Sequence, residues 1–344
     1  MEFLPKSMGT RPRLACEVRA EGVVAARAED ALAVLSAVSR TPLAEGVAIP
    51  RLRVSDTAGA AESIATAPNG FGAAGREVLV AAVRKALEAV CLRSREVTLV
   101  VPDAAVRVLL LDFDALPAKP AEALPVVRFR LKKLLPFDAD DAAVSYQVMA
   151  SSKGSLQVLA VAMPREVLAE CESVVREAGF EPGAVLPSTL AALAGLADGD
   201  RPTLVVNAGQ EGVTTAIVKG GVLLLHRTVD LGADLQADLA AGLPAPEAAA
   251  KENQAEPTNE VAQAVSVAAA YFEDTLQMAP AVVLAAGTLG SDALTVLLDE
   301  AYVGPLAVRE MVDRQMLGAG ADSVGTPAGI PLGWLAGVRG ALAN

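Results

Sequence analysis

The stretch TLVVNAGQEGVTTAIVKGGVLLLHRTVDLG, residues 203–232, decides the fold. Three apolar and β-branched runs, Thr203–Asn207, Gly212–Val218 and Val222–Thr228, follow each other closely, with glycine at each junction. Runs of this composition bounded by Gly, Asn and Asp read as consecutive strands of a meander. Asn207-Ala208-Gly209 closes the first strand and Asp230-Leu231-Gly232 follows the third. Farther on, a strand at Ala281–Ala285 runs into Ala286-Gly287-Thr288 and then into a helical stretch, Ser291–Ala301. Near the start of the chain, Arg13–Arg19 and Val23–Ala28 read as a hairpin joined by Ala20-Glu21-Gly22. Glycine turns of this kind bring backbone N–H groups close to phosphates. The ordered set of turns is therefore able to converge on a nucleotide.

Between these regions lies a compact series of elements. Val78, Leu79, Ala82, Val83, Ala86, Leu87 and Val90 share one helical face, after an irregular segment, residues 40–72, that has room for one more strand. Strands follow at Val97–Val101 and Val106–Asp112. Leu124, Val127, Leu131, Leu134 and Leu135 make a helical stripe stopped by Pro136. Val144–Met149 and Leu156–Ala162 form a second hairpin, and Val167 to Ala178 a second amphipathic helix with Gly179 at its C-terminal cap. Residues 97–186 thus read as a small α+β unit. Residues 243–259, rich in Pro, Ala and Glu without periodicity, read as a flexible loop before a helix at Glu260–Met278. A short strand near Leu306 and a glycine-spaced helix carrying Leu332, Trp334, Leu335, Val338 and Leu342 complete the chain. No repeat of fixed period indicates a solenoid.

Composition removes several classes of function. The 344 residues suffice for two domains. Apolar residues reach 53%, aromatics only 3%, so the core is Ala, Val and Leu. Mean hydropathy is +0.41, yet no apolar run approaches the roughly 18 residues of a spanning helix. Met1 to Pro12 is polar and lacks an apolar stretch of signal-peptide length, so a cytoplasmic location is expected. A net charge of −12 repels phosphate backbones and argues against nucleic-acid binding. Cys16, Cys91 and Cys171 are isolated within apolar patterns and read as buried free thiols. With His226 as the single histidine and no GxSxG turn, zinc enzymes and Ser-His-Asp hydrolases are disfavoured. Gly70-Phe71-Gly72-Ala73-Ala74-Gly75 matches GxGxxG in form, but no apolar strand precedes it, so it reads as a turn capping a helix.

Several motifs in order resemble the PilM proteins of type IV pilus assembly, relatives of the cell-division actin homologue FtsA. They are Val97 to Asp103, Leu135-Pro136-Phe137 with the acidic Asp138 to Asp141, Val144 to Val148, Leu159 to Val167 and Ala178 to Pro182. A looser likeness continues at Leu204–Gly209, Thr228–Gly232, Tyr271-Phe272 and Val283–Gly287. The resemblance implies an α/β, actin-like (ribonuclease H-like) fold of two domains with an inserted α+β subdomain. It divides the chain into residues 1–96 and 187–202 for the first domain, 97–186 for the subdomain, 203–327 for the second domain, and 328–344 as a C-terminal helix packing back on the first.

The resemblance also implies Mg-ATP in the interdomain cleft, held near Glu17, Asn207, Gly209, Ala286 and Gly287. This sequence departs from the family there. Where the first phosphate hairpin has Asp, Gly and Lys, the chain has Glu17, Arg19 and Val24; Asn207 replaces an Asp, and Ala286-Gly287 a Gly-Gly pair. Asn offers no charge to Mg²⁺ or its waters, and an Arg at a glycine position fills phosphate space. ATP hydrolysis is therefore not expected. The implied partner is a PilN-like inner-membrane protein whose N-terminal tail docks in a groove beside the subdomain, along with other pilus assembly proteins. Membrane contact is then expected only through that partner. The residues chosen for the tail are Arg128, Lys132, Leu135, Pro136 and Phe137, where basic and apolar side chains adjoin. Two other readings keep the same fold: an active ATPase or small-molecule kinase, and the cytoplasmic part of a type II secretion protein, a lineage that normally continues into a membrane helix.

Overall fold

The computed structural model describes residues 12–29, 33–44, 46–52, 73–152, 154–196, 199–231, 256–278, 280, 282–301, 306–318 and 330–343. Most of the proposed loop 243–259, the start of the GxGxxG match and Gly232 lie outside these residues.

The first hairpin forms as its alternation requires. In β1 (Leu14–Arg19), Leu14, Cys16 and Val18 pack on one side of the sheet, while Ala15 and Glu17 turn to the other. β2 (Gly22–Ala28) and β3 (Leu35–Pro42) continue antiparallel from it. β4 (Glu96–Val101) and β8 (Glu181–Pro187) extend the sheet in parallel on the other side, giving the order β3-β2-β1-β4-β8. The second sheet has the same plan. β9 (Thr203–Ala208), β10 (Gly212–Lys219) and β11 (Val222–Asp230) form the antiparallel meander, and β12 (Val282–Gly287) and β13 (Ala307–Glu310) add in parallel, in the order β11-β10-β9-β12-β13.

Each sheet is covered on its outer face by helices. α1 (Ala73–Val90) and α3 (Arg165–Glu177) bury Leu79, Val83, Leu87, Cys171 and Val175 against the first sheet. α5 (Glu256–Leu276) and α6 (Ser291–Glu300) bury Val261, Val265, Phe272 and Leu298 against the second. The inner faces meet around α4 (Ser188–Ala194) and the C-terminal helix α7 (Ala336–Leu342), which packs on α4, β1 and β4. Gly337 and Gly340 make this approach possible. A Cβ on Gly337 would stand 2.6 Å from Glu17 Oε2, and one on Gly340 would stand 1.8 Å from the Ala191 carbonyl.

The inserted subdomain is narrower than residues 97–186. β4 and β8 are parallel neighbours in the first sheet, and α3 packs on that domain's core. What remains is a three-stranded sheet, β5-β7-β6, made of β5 (Arg107–Phe113), β6 (Ala142–Ser152) and β7 (Ser155–Pro164), with α2 (Pro120–Leu131) between β5 and β6. Its strands alternate cleanly. Val108, Leu110, Met149, Leu159 and Val161 face the body of the molecule, while Leu109, Leu111, Val144, Val158 and Ala160 face α2. Two elements are not marked by the sequence pattern. β8 carries Pro182, Gly183 and Pro187, which a strand tolerates at a sheet edge, and α4 is a single short helix. Helix α5 begins at Glu256, inside the segment read as loop. Among the described residues, no helix is long and apolar enough to cross a membrane.

Candidate functional site

Three turns, from the β1–β2 hairpin, the β9–β10 hairpin and the β12–α6 junction, converge between the domains. Gly209 marks the meeting point. A Cβ there would stand 2.9 Å from Thr288 Oγ1, 3.0 Å from Glu21 Oε1 and 3.4 Å from Arg19 Nη1, groups contributed by the other two turns. Gly287 adopts φ +86°, and a Cβ on it would stand 2.4 Å from the Ala208 carbonyl and 2.6 Å from Asn207 Oδ1. Gly287 is required by its positive φ and by close backbone approach, while Gly209 leaves room for side chains of the other two turns. The structure thus brings Glu17, Asn207, Gly209 and Gly287 together. Ala286 is adjacent in chain, but its side chain packs in the core between the sheets.

The cleft is crossed by the protein's own side chains. Pleat alternation turns Glu17 and Arg19 of β1, and Asn207 of β9, toward the interdomain layer. Arg19 Nη2 donates to Asn207 Oδ1 at 2.7 Å and to Ser188 Oγ at 2.6 Å, and Arg19 Nε donates to Glu17 Oε1 at 2.8 Å. Ser188 Oγ donates to Glu17 Oε1 at 2.7 Å, and Asn207 Nδ2 donates to Ser188 Oγ and Thr189 Oγ1, each at 2.9 Å. Thr189 in turn donates its backbone N–H and its hydroxyl to Asp103. Glu17, Asp103, Ser188, Thr189 and Asn207 are all buried. An Asp at position 207 could accept from Arg19 but could not donate to Ser188 and Thr189; Asn does both.

A second crossing lies beside the first. Glu21, at the tip of the first hairpin, accepts from the Gln210 backbone N–H at 2.7 Å and from the Thr288 hydroxyl. A backbone N–H and a hydroxyl in a glycine turn are groups suited to a phosphate oxygen; here they hold a carboxylate of the same chain. Glu21 lines both a cavity of about 420 Å³ shared with Arg19, Asp103 and Thr214, and one of about 930 Å³ shared with Arg40, Leu231, Val261 and Trp334. Glu211 lines the smaller cavity. Its pKa is raised by burial and then by the carboxylates of Glu21 and Asp230, against a lowering effect from Arg51. Among the described residues, no lysine lines either cavity. A triphosphate at the meeting point would face Glu21 and Glu211 and would have to displace Arg19 from three acceptors. Among the described residues, no group of three His, Cys, Asp or Glu side chains is placed to hold a metal ion.

A third tie joins the second domain to the C-terminal segment. Glu310 of β13 accepts from the Ser291 N–H at the start of α6 at 2.8 Å and from the Gly333 N–H at 2.6 Å. Glu21, Ser188, Thr189 and Glu310 escape a reading of the sequence, since each stands in a turn or helix-start context where such residues are common.

The residues chosen for a partner tail fall in the subdomain and have different roles there. Phe137 is 8% exposed in the core beneath α2, with Leu135 partly buried against it. Arg128 Nη1 donates to the Ala139 carbonyl and, at 3.0 Å, to the Ala142 carbonyl, pinning the chain that returns from the helix. Lys132 pairs with Asp140. Only Pro136 and Lys132 are exposed. Phe137 is thereby corrected from an exposed anchor to a core residue, because the Leu135–Ala139 segment folds back under α2.

A different surface beside the subdomain is concave. Val101, Val144, Met163, Leu168, Val185 and Leu186 line a groove of about 480 Å³ between the subdomain and the first domain. β6 and β8 both contribute to its walls, and among the described residues each is the last strand of its sheet.

No protein-family model matches the chain, and no curated protein matches it in sequence. Solved structures do match. A structure of the PilM-PilN type IV pilus biogenesis complex aligns with a TM-score of 0.69 over 97% of this chain and 100% of that one, at 20% identity. The cytoplasmic domain of EpsL, an inner-membrane component of the Vibrio cholerae type II secretion system, aligns at a TM-score of 0.44 and 12% identity, over 86% of this chain and 96% of that one. The ethanolamine utilization protein EutJ of Carboxydothermus hydrogenoformans aligns at 0.44 and 12%, over 96% and 89%. The chain has the actin-like fold, in an architecture similar to that of the PilM-PilN structure along nearly its whole length.

Proposed function

We propose that this protein is a docking component of type IV pilus assembly, which takes the extended tail of a PilN-like inner-membrane protein into the groove beside its inserted subdomain and does not turn over nucleotide. The observation that carries this reading is the groove. Its walls are apolar, and two sheet edges border it, so an extended segment would find backbone hydrogen-bond partners as well as pockets for alternate side chains. The similarity of fold to a PilM-PilN complex supports the choice of partner. The interdomain cleft supports the rest. Its turns are already joined by Arg19 and Glu21, which supply from within the chain the charge and the contacts a Mg-triphosphate would bring.

Leu168 of α3 lines the groove and is only partly buried, so it can be changed with limited damage to the core. Leu168→Glu is expected to weaken tail binding at least about tenfold, or 1.4 kcal/mol. A fluorescence titration with the labelled N-terminal peptide of a PilN-like protein measures it. Equal affinity for the parent and the variant would place the site elsewhere.

A further inference from the structure

Helix α2 is apolar on two sides. Ala123, Val127 and Leu131 are buried against the subdomain sheet. Away from that buried face, Val126, Phe129 and Arg130 follow at spacings of three and four residues, and Lys133 and Leu134 adjoin them in the turn that ends the helix. Phe129 is 68% exposed, Leu134 48% and Val126 39%; they are three of the nine large hydrophobic side chains found exposed among the described residues, and they fall within nine positions. A helix apolar all round is normally covered all round. Here the sheet's other face packs on the body of the molecule, so α2 lies on the outermost layer of the subdomain, with Val126 and Phe129 exposed on its far side.

The charges on this face are as uneven as its hydrophobicity. Arg128 and Lys132 are engaged within the subdomain, as described above. Lys119 pairs with Glu122 at 3.2 Å, and Asp138 accepts from the Asp140 backbone. Arg130 and Lys133 are the exposed cations left beside Phe129, on a chain whose net charge is −12. A second copy of the chain fits poorly, since a two-fold contact would set these cations against themselves. A peptide fits poorly as well, because the outer side of a helix is convex and offers neither groove nor sheet edge. An aromatic and two aliphatic side chains bracketed by basic residues suit a flat, anionic, partly apolar surface. The rings and branches enter the headgroup boundary, and the long basic side chains reach phosphates from their apolar stems.

We propose that the outer face of α2 is a direct contact site for an anionic lipid bilayer. It adds a membrane contact that does not pass through the tail-binding partner. It rests on α2 alone, so the groove reading can fail without affecting it. Arg130 and Lys133 supply electrostatic attraction on the scale known for basic residues near anionic membranes, which salt weakens.

The test is cosedimentation of the full chain with vesicles of zwitterionic lipid, with and without about a third phosphatidylglycerol. The parent protein is expected to bind the anionic vesicles at low salt, to be released by salt, and to leave the neutral vesicles unbound. Arg130→Gln/Lys133→Gln and Phe129→Ser are each expected to lower that binding, and together at least about tenfold. All three positions are exposed, so unchanged thermal unfolding is expected of the variants. If Phe129→Ser alone unfolds the protein, the charge variant still decides the matter. No binding by the parent, or equal binding by the charge variant, overturns the proposal. So does tight binding of an acidic apolar peptide that is lost in the same variants while vesicles remain unbound, or a dimer abolished by them.

Discussion

Glu17 has no exposed surface and stands two residues before the guanidinium that crosses the cleft. Burial raises its pKa above the ordinary carboxylate value of 4.5; Arg19 and the hydrogen bonds from Ser188 and Arg19 lower it in part, and Asp103 adds to the rise. The folded chain therefore holds this proton more tightly than the unfolded chain does. The stability from this group is complete below 4.5 and is lost as pH rises through the raised folded value. Glu17→Gln should flatten that decline in thermal unfolding followed from about pH 4 to pH 8. His226, whose pKa is lowered by burial, contributes the opposite slope on acidification below 6.5, so the variant is compared with the parent at each pH. Arg19→Ala removes donors from Glu17, Ser188 and Asn207 and should cost about 3 kcal/mol in urea unfolding, within the range for breaking a buried pair. The cysteines supply a check on packing. Cys171 is buried and its thiol is pushed up to about 12, Cys16 higher still, and Cys91 is half-buried. One thiol, Cys91, should react with a disulfide reagent in the native protein, and three after unfolding.

At the scale of elements, the C-terminal helix fits only because two of its residues lack a side chain. Gly340→Ala would drive a methyl group into the backbone carbonyl of Ala191, and the helix must move away. A loss of about 3 kcal/mol or more is expected in chemical unfolding, with Gly337→Ala affected less, because its neighbour is a side chain that can shift. Elements with one buried face were legible in the sequence. The β9–β10–β11 meander, the first hairpin and helices α1, α3 and α6 show the period of their structure in apolar residues. β8 was not legible, because Pro182, Gly183 and Pro187 contradict strand propensity and are tolerated only by its edge position. That missed strand also moved the subdomain's boundary, since β8 ties residues 181–187 to the first sheet. The α2 region misled for a related reason. Its apolar residues lie on both sides of the helix, so the pattern does not say which leucine or phenylalanine is inside; Phe137, read as part of the tail site, is core, and Leu134 of the helical stripe is exposed.

The body of the molecule is two five-stranded sheets of one strand order, to which the three-stranded subdomain is added, with α4 and the C-terminal helix packed between the two and a cleft where their turns meet. The meeting of the turns was legible from glycines in order along the chain. Arg19 was legible too, as a side chain too large for a glycine position. What it does was not legible, because its acceptors Ser188 and Asn207 lie 169 and 188 residues away. Glu21 gave no signal beyond that of a turn residue. In the folded chain it bridges the second and third turns and places a negative charge at their junction. We propose that these two side chains close the cleft in place of a nucleotide. Isothermal titration calorimetry of the full chain with Mg-ATP tests it most directly. No saturable heat is predicted up to about 1 mM nucleotide, a bound on affinity of roughly 4 kcal/mol. Saturable binding with a micromolar dissociation constant by the unaltered protein would contradict it, because Arg19 and Glu21 would then have to leave the positions they hold.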